Sequence, residues 1–454
     1  MRDRFRKIKI GFALVLLAVL LAGCNPGAKE DVQTRTTLKV MYYSEDGFYY
    51  QYGMLFSALY PDIDLKVVST NNAKPKEGQN INDAILELIK EQKPEVLMLN
   101  ANQYKKLSNE GRLADLEALA AKDKFDLEGI VPGILEYIRN LSDGKLYGLS
   151  PSFYSNAVYY NKDLFTKYGV PFPEDRMSWE QLLQLASRFP TDGEEDRGVY
   201  GLKTDYDSGL DGLVRSIGGA MGLSYFNASS LQMTVDSDSW RNVIELANQA
   251  LRAGYIYERG ERNGADLASY EDYLFQDPFI NGKVAMSVGG SGLVNQIKGA
   301  QDANKERAVR NWDVVTVPVD PKKPNVTNTT SVDQILAIDG QSPNVSAAWK
   351  FIRYVNSDEY ARVKSKATMG GYPVRTKYIA DDEGHNLQAF YALTPVEETV
   401  YKDYDKMPNE TFGKIMWLIS DELAHVSEDK QTVEEAINRI QQEGQQLLSS
   451  GGQQ

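Results

Sequence analysis

Two rhythms of apolar and polar residues alternate along the chain. Residues 38–43 form a β-rich run, and after it Phe48, Tyr52, Leu55, Phe56 and Leu59 recur at helical spacing until Tyr60-Pro61 stops the pattern. Residues 65–68 predict a second strand, Ile81, Ile85, Leu88 and Ile89 a second helix, and residues 96–99 a third strand after Pro94. A βαβαβ opening of this kind predicts a parallel sheet with helices on both faces. Ligands of such sheets sit at the carboxyl ends of the strands. Here those ends carry Ser44, Glu45 and Asp46 after the first strand, and Asn100, Asn102 and Gln103 after the third.

A second unit begins around Ser150-Pro151. Residues 157–160 read as a strand, and Ser178-Trp179-Glu180-Gln181 is a capping box ahead of Leu182, Leu183, Leu185 and Ala186. Trp240, Val243, Ile244, Ala247 and Leu251 share one face of a further helix. Residues 284–288 predict a buried strand running into Gly289-Gly290-Ser291-Gly292, a stretch free to turn sharply or to let backbone approach a ligand. Residues 312–317 and 335–338 add strands. The remainder reads as mostly helical, with Ala348, Trp349, Ile352 and Val355 on one stripe and Thr432-Val433-Glu434-Glu435 capping the last helix. No internal repeat is visible, and only the Gln/Ser/Gly tail is of low complexity.

Composition narrows the chemistry. A length of 454 residues suggests two to three domains at roughly 100–200 residues each. With 42% hydrophobic and 25% charged residues the chain can bury real cores. One cysteine excludes an internal disulfide and a multi-thiolate zinc site, and two histidines, His385 and His425, exclude a three-histidine metal centre. A formal charge of −13 disfavours nucleic acid as a partner.

That charge is unevenly placed. The first nine residues carry a net +4, and residues 10–21 are apolar apart from Gly11, a run too short to span a bilayer comfortably. Leu21-Ala22-Gly23-Cys24 then matches the bacterial lipobox. Residues 1–23 are expected to be a lipoprotein signal peptide, with Cys24 acylated as the new N-terminus. More than one acyl chain gives the stable membrane anchoring that a single chain does not. Removing the signal leaves −17 over 431 residues. Residues 24–36, with Pro26 and Gly27, read as a flexible tether, and no later stretch approaches 18 consecutive apolar residues.

Several segments carry a resemblance. Gly144-Lys145-Leu146-Tyr147-Gly148-Leu149 is followed by Val158-Tyr159-Tyr160-Asn161-Lys162-Asp163-Leu164-Phe165. Ser178-Trp179-Glu180-Gln181-Leu182 and Gly282-Lys283-Val284-Ala285-Met286 come next, then Ala348-Trp349-Lys350-Phe351-Ile352 and Thr432-Val433-Glu434-Glu435-Ala436. In this order, after a lipobox, they resemble the bacterial extracellular solute-binding protein family 1, the binding lipoproteins of ABC importers. The resemblance implies an α/β, two-lobed, periplasmic-binding-protein-like fold of type II, closing by a hinge on one ligand. It maps the first lobe to 36–149 and 289–340 and the second to 150–288 and 341–454, with crossings near 149–150, 287–290 and 340–343. It implies a cofactor-free receptor outside the cytoplasm, partnered by ABC permease subunits and anchored to the membrane through lipid.

Sugars present apolar ring faces and many hydroxyls, so their sites combine flat aromatics with Asp, Asn, Glu or Gln. The chain holds 27 Tyr and 5 Trp. Phe153 and Tyr154 after the first crossing, and Asp205-Tyr206-Asp207, resemble by position the sugar-contacting loops of maltose-binding members of the family. Trp417 aligns with a stacking tryptophan of those members. Tyr43, Gly290, Ser291, Tyr372 and Arg375 complete the candidates. Most have a plain structural alternative: Tyr42, Tyr43, Tyr49 and Tyr50 as packing, Trp417 as core beside Ile415, Met416 and Leu418, Arg375 as partner of a surface carboxylate, and Thr327 to Ser331 as a polar loop. Asp205-x-Asp207-x-Gly209-x-Asp211 lacks the sixth-position glycine and the distal Glu of a calcium loop, so it reads as a ligand or solvated loop and no metal is expected. Two classes remain: a non-enzymatic receptor for a sugar or oligosaccharide, and a lipid-anchored carbohydrate-active enzyme with two carboxylates about 5–10 Å apart. No nucleophile elbow, P-loop or zinc motif appears, and the whole-chain resemblance favours the receptor.

Overall fold

The computed structural model describes residues 35–76, 79–190, 198–204, 209–258, 269–366, 371–380 and 383–451. Cys24, the apolar run before it, and Asp205 and Tyr206 lie outside them. Among the described residues no helix is long and apolar enough to cross a membrane.

The βαβαβ opening builds one half of a five-stranded sheet. Thr36–Tyr42 pairs in parallel with Ile63–Ser69 on one side and Val96–Leu99 on the other. Ile335–Ile338 then adds antiparallel to Val96–Leu99 and carries Gly148–Leu149 at the far edge. Val96–Leu99 and Ile335–Ile338 are buried at every position, as strands covered on both faces must be. Part of the cover is the helical run from Glu45 to Leu59, which contains a π-turn at Tyr49–Gly53. The wider turn keeps residues four apart on one face. Phe48, Tyr52 and Phe56 are therefore buried, whereas Leu55 and Leu59, expected on the same stripe, face solvent. The three rings close on Phe351 at centroid distances of 5.7, 6.2 and 5.1 Å, which holds the Val345–Val355 helix to this sheet.

The second sheet has four strands. Asn156–Asn161 pairs antiparallel with both Val284–Gly290 and Trp312–Thr316, and Tyr200–Lys203 lies parallel to Val284–Gly290 at one edge. Side chains alternate across a strand. Ala157 and Tyr159 accordingly face the core that continues from the first sheet, while Val158 and Tyr160 face a second core shared with helices Trp179–Ala186, Gly209–Ala220 and Asp238–Arg252. The capping box expected at Ser178 forms both reciprocal bonds, Gln181 N–H to Ser178 Oγ at 3.2 Å and Ser178 N–H to Gln181 Oε1 at 2.8 Å.

Strand pairing distributes the later segments differently from the expected lobe boundaries. Within 289–340, Trp312–Thr316 joins the second sheet and only Ile335–Ile338 joins the first. Within 341–454, Val345–Val355 packs on the first sheet, whereas Asn409–Ser427 and Val433–Gly451 pack against the helices of the second. The chain thus passes between sheets at 150–155, 317–334 and near 391–400. Residues 287–290 instead finish a strand, and 340–343 form a turn into a helix on the same sheet. Gly, Ser and Pro mark where a chain turns; pairing decides which turns change sheet. The crossings are tied together: Tyr154 and Ser331 exchange backbone bonds at 3.0 and 2.8 Å, and Val326–Thr327 pairs with Thr394–Pro395.

Candidate functional site

Two helices present their N-termini at the carboxyl edge of the first sheet. Asn80 caps the Ile81–Gln92 helix, and Asn100 caps Ala101–Asn109 in a capping box with Gln103. Asn100 Oδ1 accepts from the Gln103 N–H at 2.9 Å, while the Asn100 and Gln103 side-chain amides donate to Asn82 Oδ1 at 2.9 and 3.1 Å. The result is a chain of amides held in fixed orientation, suited to the mixed donor and acceptor pattern of hydroxyls.

The crossing segments add tyrosines. Tyr52 donates its hydroxyl to Gln334 Oε1 at 2.6 Å, which fixes the 328–334 crossing against the first sheet. Tyr43 packs edge-on to Tyr42 at 5.3 Å. Burial raises the Tyr43 pKa, and the nearby Asp333 carboxylate and Tyr154 phenol raise it further. Tyr43 and Tyr154 are each 46% exposed, so both leave ring surface open beside Asp333.

The later crossings and the Gly209–Ala220 helix beside the second sheet supply further lining. Glu398 Oε2 accepts from Asn328 Nδ2 at 2.8 Å, and its Oε1 accepts from the Thr399 and Val400 N–H groups at 2.8 and 2.9 Å. Arg215 donates to the Tyr401 hydroxyl at 3.0 Å and pairs with Asp211 at 3.4 Å. Burial holds the Asp211 carboxyl above its ordinary range, with Arg215 opposing.

Among these groups run three adjoining cavities of about 310, 260 and 710 Å³. The first two share Asn156; the second and third share Asn328, Ser331, Glu398 and Tyr401. Volumes of about 300–1,000 Å³ are those of small-molecule sites. Of the candidates read from sequence, Tyr154, Gly290, Ser291 and Tyr372 line the first cavity, and Asn100 and Asn102 the third. Ser44 is occupied as a helix cap, accepting from the Gly47 N–H at 3.2 Å, and Glu45 and Asp46 lie exposed in that helix's first turn. Trp417 is 69% exposed on the solvent face of its helix, so it is not core, and it lines none of the three cavities.

Two candidates require correction. Phe153 is fully buried, because pairing with Tyr372 turns its ring inward. Arg375 is also interior, its guanidinium bonded to the Asn356 and Asp126 carbonyls. Sequence reading passed over Asn82, Arg215, Glu398 and Tyr401, which follow no apolar period. Asn80, directly before Ile81 and three residues before Asp83, carried a readable cap signal. Among the described residues, Asp421, Glu422 and His425 approach one another closely enough to hold a cation. Glu422 there is buried, pairs with Arg439 at 3.4 Å and accepts from Gln431 at 2.7 Å, so its charge already has partners.

This architecture has relatives. A putative binding protein of Brucella abortus is 27% identical over 271 residues, a match that covers 56% of this chain and only 57% of that protein. The sn-glycerol-3-phosphate-binding periplasmic protein UgpB of Escherichia coli K12 is 24% identical over 343 residues, 72% of each chain. Among solved structures, the sugar-binding protein MalE of Xanthomonas citri superposes with a TM-score of 0.61 at 17% identity, covering 91% of this chain and 98% of that one. That likeness establishes the two-lobed α/β fold. Residues 37–362 match the family model described as bacterial extracellular solute-binding protein, and the chain belongs to that family.

Proposed function

We propose that this protein is a lipid-anchored receptor outside the cytoplasm that captures a sugar or oligosaccharide between its lobes and delivers it to the permease subunits of an ABC importer. The carrying observation is the cleft itself: the amide-rich edge of the first sheet lines one continuous space with Asn328 and Glu398 of the crossing segments and with Arg215 and Tyr401 on the second sheet's side. The lobes are read as the first sheet with 345–366 and the second sheet with 409–451, hinged at 150–155, 317–334 and 391–400. Tyr43 and Tyr154 are the stacking surfaces, and Asn100, Asn102 and Asn328 the hydrogen-bonding ones. Asp205 and Tyr206 belong to the same expected set.

A binding role fits the carboxylates better than acid–base catalysis. Glu398 accepts three N–H bonds, which engage both of its oxygens in holding Asn328 and the 398–400 turn in place. The sugar-binding description of the Xanthomonas MalE supports the ligand class. Closure on ligand then presents both lobes to the permease, and the tether at Cys24 raises the local concentration of receptor.

Titration calorimetry and thermal melts of the detergent-solubilised full-length lipoprotein, against mono- and oligosaccharides, amino acids and polyamines, test the reading. A ligand at a hundred times its Kd should raise the melting temperature by roughly 5–10 °C and be recovered intact. Cys24→Ser should move the protein from the membrane to the soluble fraction. Stabilisation by a non-sugar alone would overturn the ligand class, cleavage of the bound sugar would overturn the receptor role, and unchanged fractionation would overturn the anchor.

A further inference from the structure

The charge of the cleft is not uniform along its length. In the cavity of about 710 Å³ three of the four lining lysines are matched, Lys105 with Glu397 at 3.8 Å, Lys106 with Asp83 at 3.4 Å and Lys406 with Asp403 at 3.0 Å, and Asp333, Glu398 and other carboxylates line the same space as Lys402. The cavity of about 310 Å³ at the other end is lined by Lys298 and Lys364 and, among the described residues, by no carboxylate. Lys364 Nζ donates to a neutral acceptor, Gln51 Oε1 at 2.7 Å, and burial lowers its pKa, with no carboxylate paired to it among the described residues. Lys298 projects from the Gly292–Ala303 helix, which starts at Ser291 without a side-chain cap and so adds its positive end to the same space. Tyr154 and Tyr378 line the cavity as well. Among the described residues the lining of this chamber is cationic, in a chain of net charge −13.

The two lysines come from opposite sides. Lys298 follows Val284–Gly290 of the second sheet, whereas Lys364 ends the Asp358–Lys364 helix, whose Tyr360 packs on Tyr52 beside the first sheet. Bringing the sides together concentrates like charge unless an anion lies between. We propose that this end of the cleft takes an anionic substituent of the solute, a carboxylate or phosphate on a sugar or polyol, with Lys298 and Lys364 as its counter-charges. The proposal rests on the solute-capture reading above and names the charge of the solute. A ligand bearing the anion favours the closed arrangement because it contacts a cation on each side, and a neutral analogue does not.

Calorimetry on the full-length lipoprotein separates the possibilities. The probes are a neutral oligosaccharide, its uronate-bearing counterpart of equal length, a hexose phosphate and sn-glycerol 3-phosphate. At low salt an anionic probe should bind at least about tenfold more tightly than its neutral counterpart, and the preference should shrink as ionic strength rises. Lys298→Gln, at an exposed position, should keep the melting temperature of the parent and remove most of that preference; Lys364→Gln should do the same. The uronate and phosphate arms distinguish the two sources of anion. Equal binding of neutral and anionic sugars, or an undiminished preference in folded Lys298→Gln, would overturn the proposal and leave sugar capture standing. Binding of no sugar or polyol of either charge would overturn both.

Discussion

Arg375 donates through Nε to the Asn356 carbonyl at 2.7 Å and through one NH group to the carbonyl and carboxylate of Asp126 at 2.7 and 3.2 Å. Its guanidinium also lies 4.8 Å from the Phe125 ring centroid. Burial lowers its pKa while the Asp358 and Asp126 carboxylates oppose the shift. Truncation strips two backbone carbonyls of a charged donor, so Arg375→Ala should cost on the order of 3 kcal/mol of stability. Ligand affinity of the folded variant should be unchanged, since the side chain does not reach the cleft. Melting curves and a ligand titration check this: lost affinity at an unchanged melting temperature would show that the residue touches solute. Adjacent residues in extended backbone point to opposite faces. That Tyr154 rather than Phe153 faces the cleft was therefore undecidable from the dipeptide; pairing of Phe153 with Tyr372 and of Tyr154 with Ser331 settled it.

At the scale of elements, local signals were largely legible. The capping boxes at Ser178 and Thr432, the buried 284–288 run and the 96–99 strand all stand where their patterns indicate. The π-turn at Tyr49–Gly53 was not legible, because its cause is the fit of Phe48, Tyr52 and Phe56 against Phe351 from a distant helix. Asn100 shows one side chain serving two ends: its oxygen caps a helix and its amide nitrogen holds Asn82 at the cleft. Serine caps helices about as well as asparagine, whereas alanine loses ~1 kcal/mol. Asn100→Ser should therefore melt with the parent yet bind solute more weakly, and Asn100→Ala should lose both stability and affinity. Circular dichroism melts alongside calorimetry separate the two roles; full affinity in Asn100→Ser would leave Asn100 as a cap alone.

For the molecule as a whole, buried phenols set an alkaline limit. Burial pushes Tyr137, Tyr160 and Tyr354 up to about 12 from an ordinary 10.0, and holds Tyr52, Tyr159 and Tyr225 well above that ordinary value. The unfolded chain releases these protons near pH 10, the folded chain only near 12 or beyond. Their contribution to stability is thus complete below about pH 10 and is lost as pH rises from about 10 to 12. Melting temperature should hold through the mildly alkaline range and fall steeply over that interval, with tyrosinate absorbance appearing together with unfolding. Tyrosinate forming at pH 10 in an intact fold would contradict the assignment.

Signals confined to a few neighbouring residues were decided by the sequence alone: the period of most strands and helices, the caps, and the ordered motifs of a two-lobed solute-binding chain. Their physics is local, since steric period, capping bonds and a short apolar run need no distant partner. Tertiary structure decided what depends on distant pairs. It sent Trp312–Thr316 to one sheet and Ile335–Ile338 to the other, buried Phe153 and Arg375, and gathered Asn100, Asn328 and Glu398 along one cleft. Lys298 and Lys364 meet at one cavity only because the strands and helices beneath them pack as they do. Burial and charge at a site arise from chain segments brought together by pairing, and no single segment carries that information.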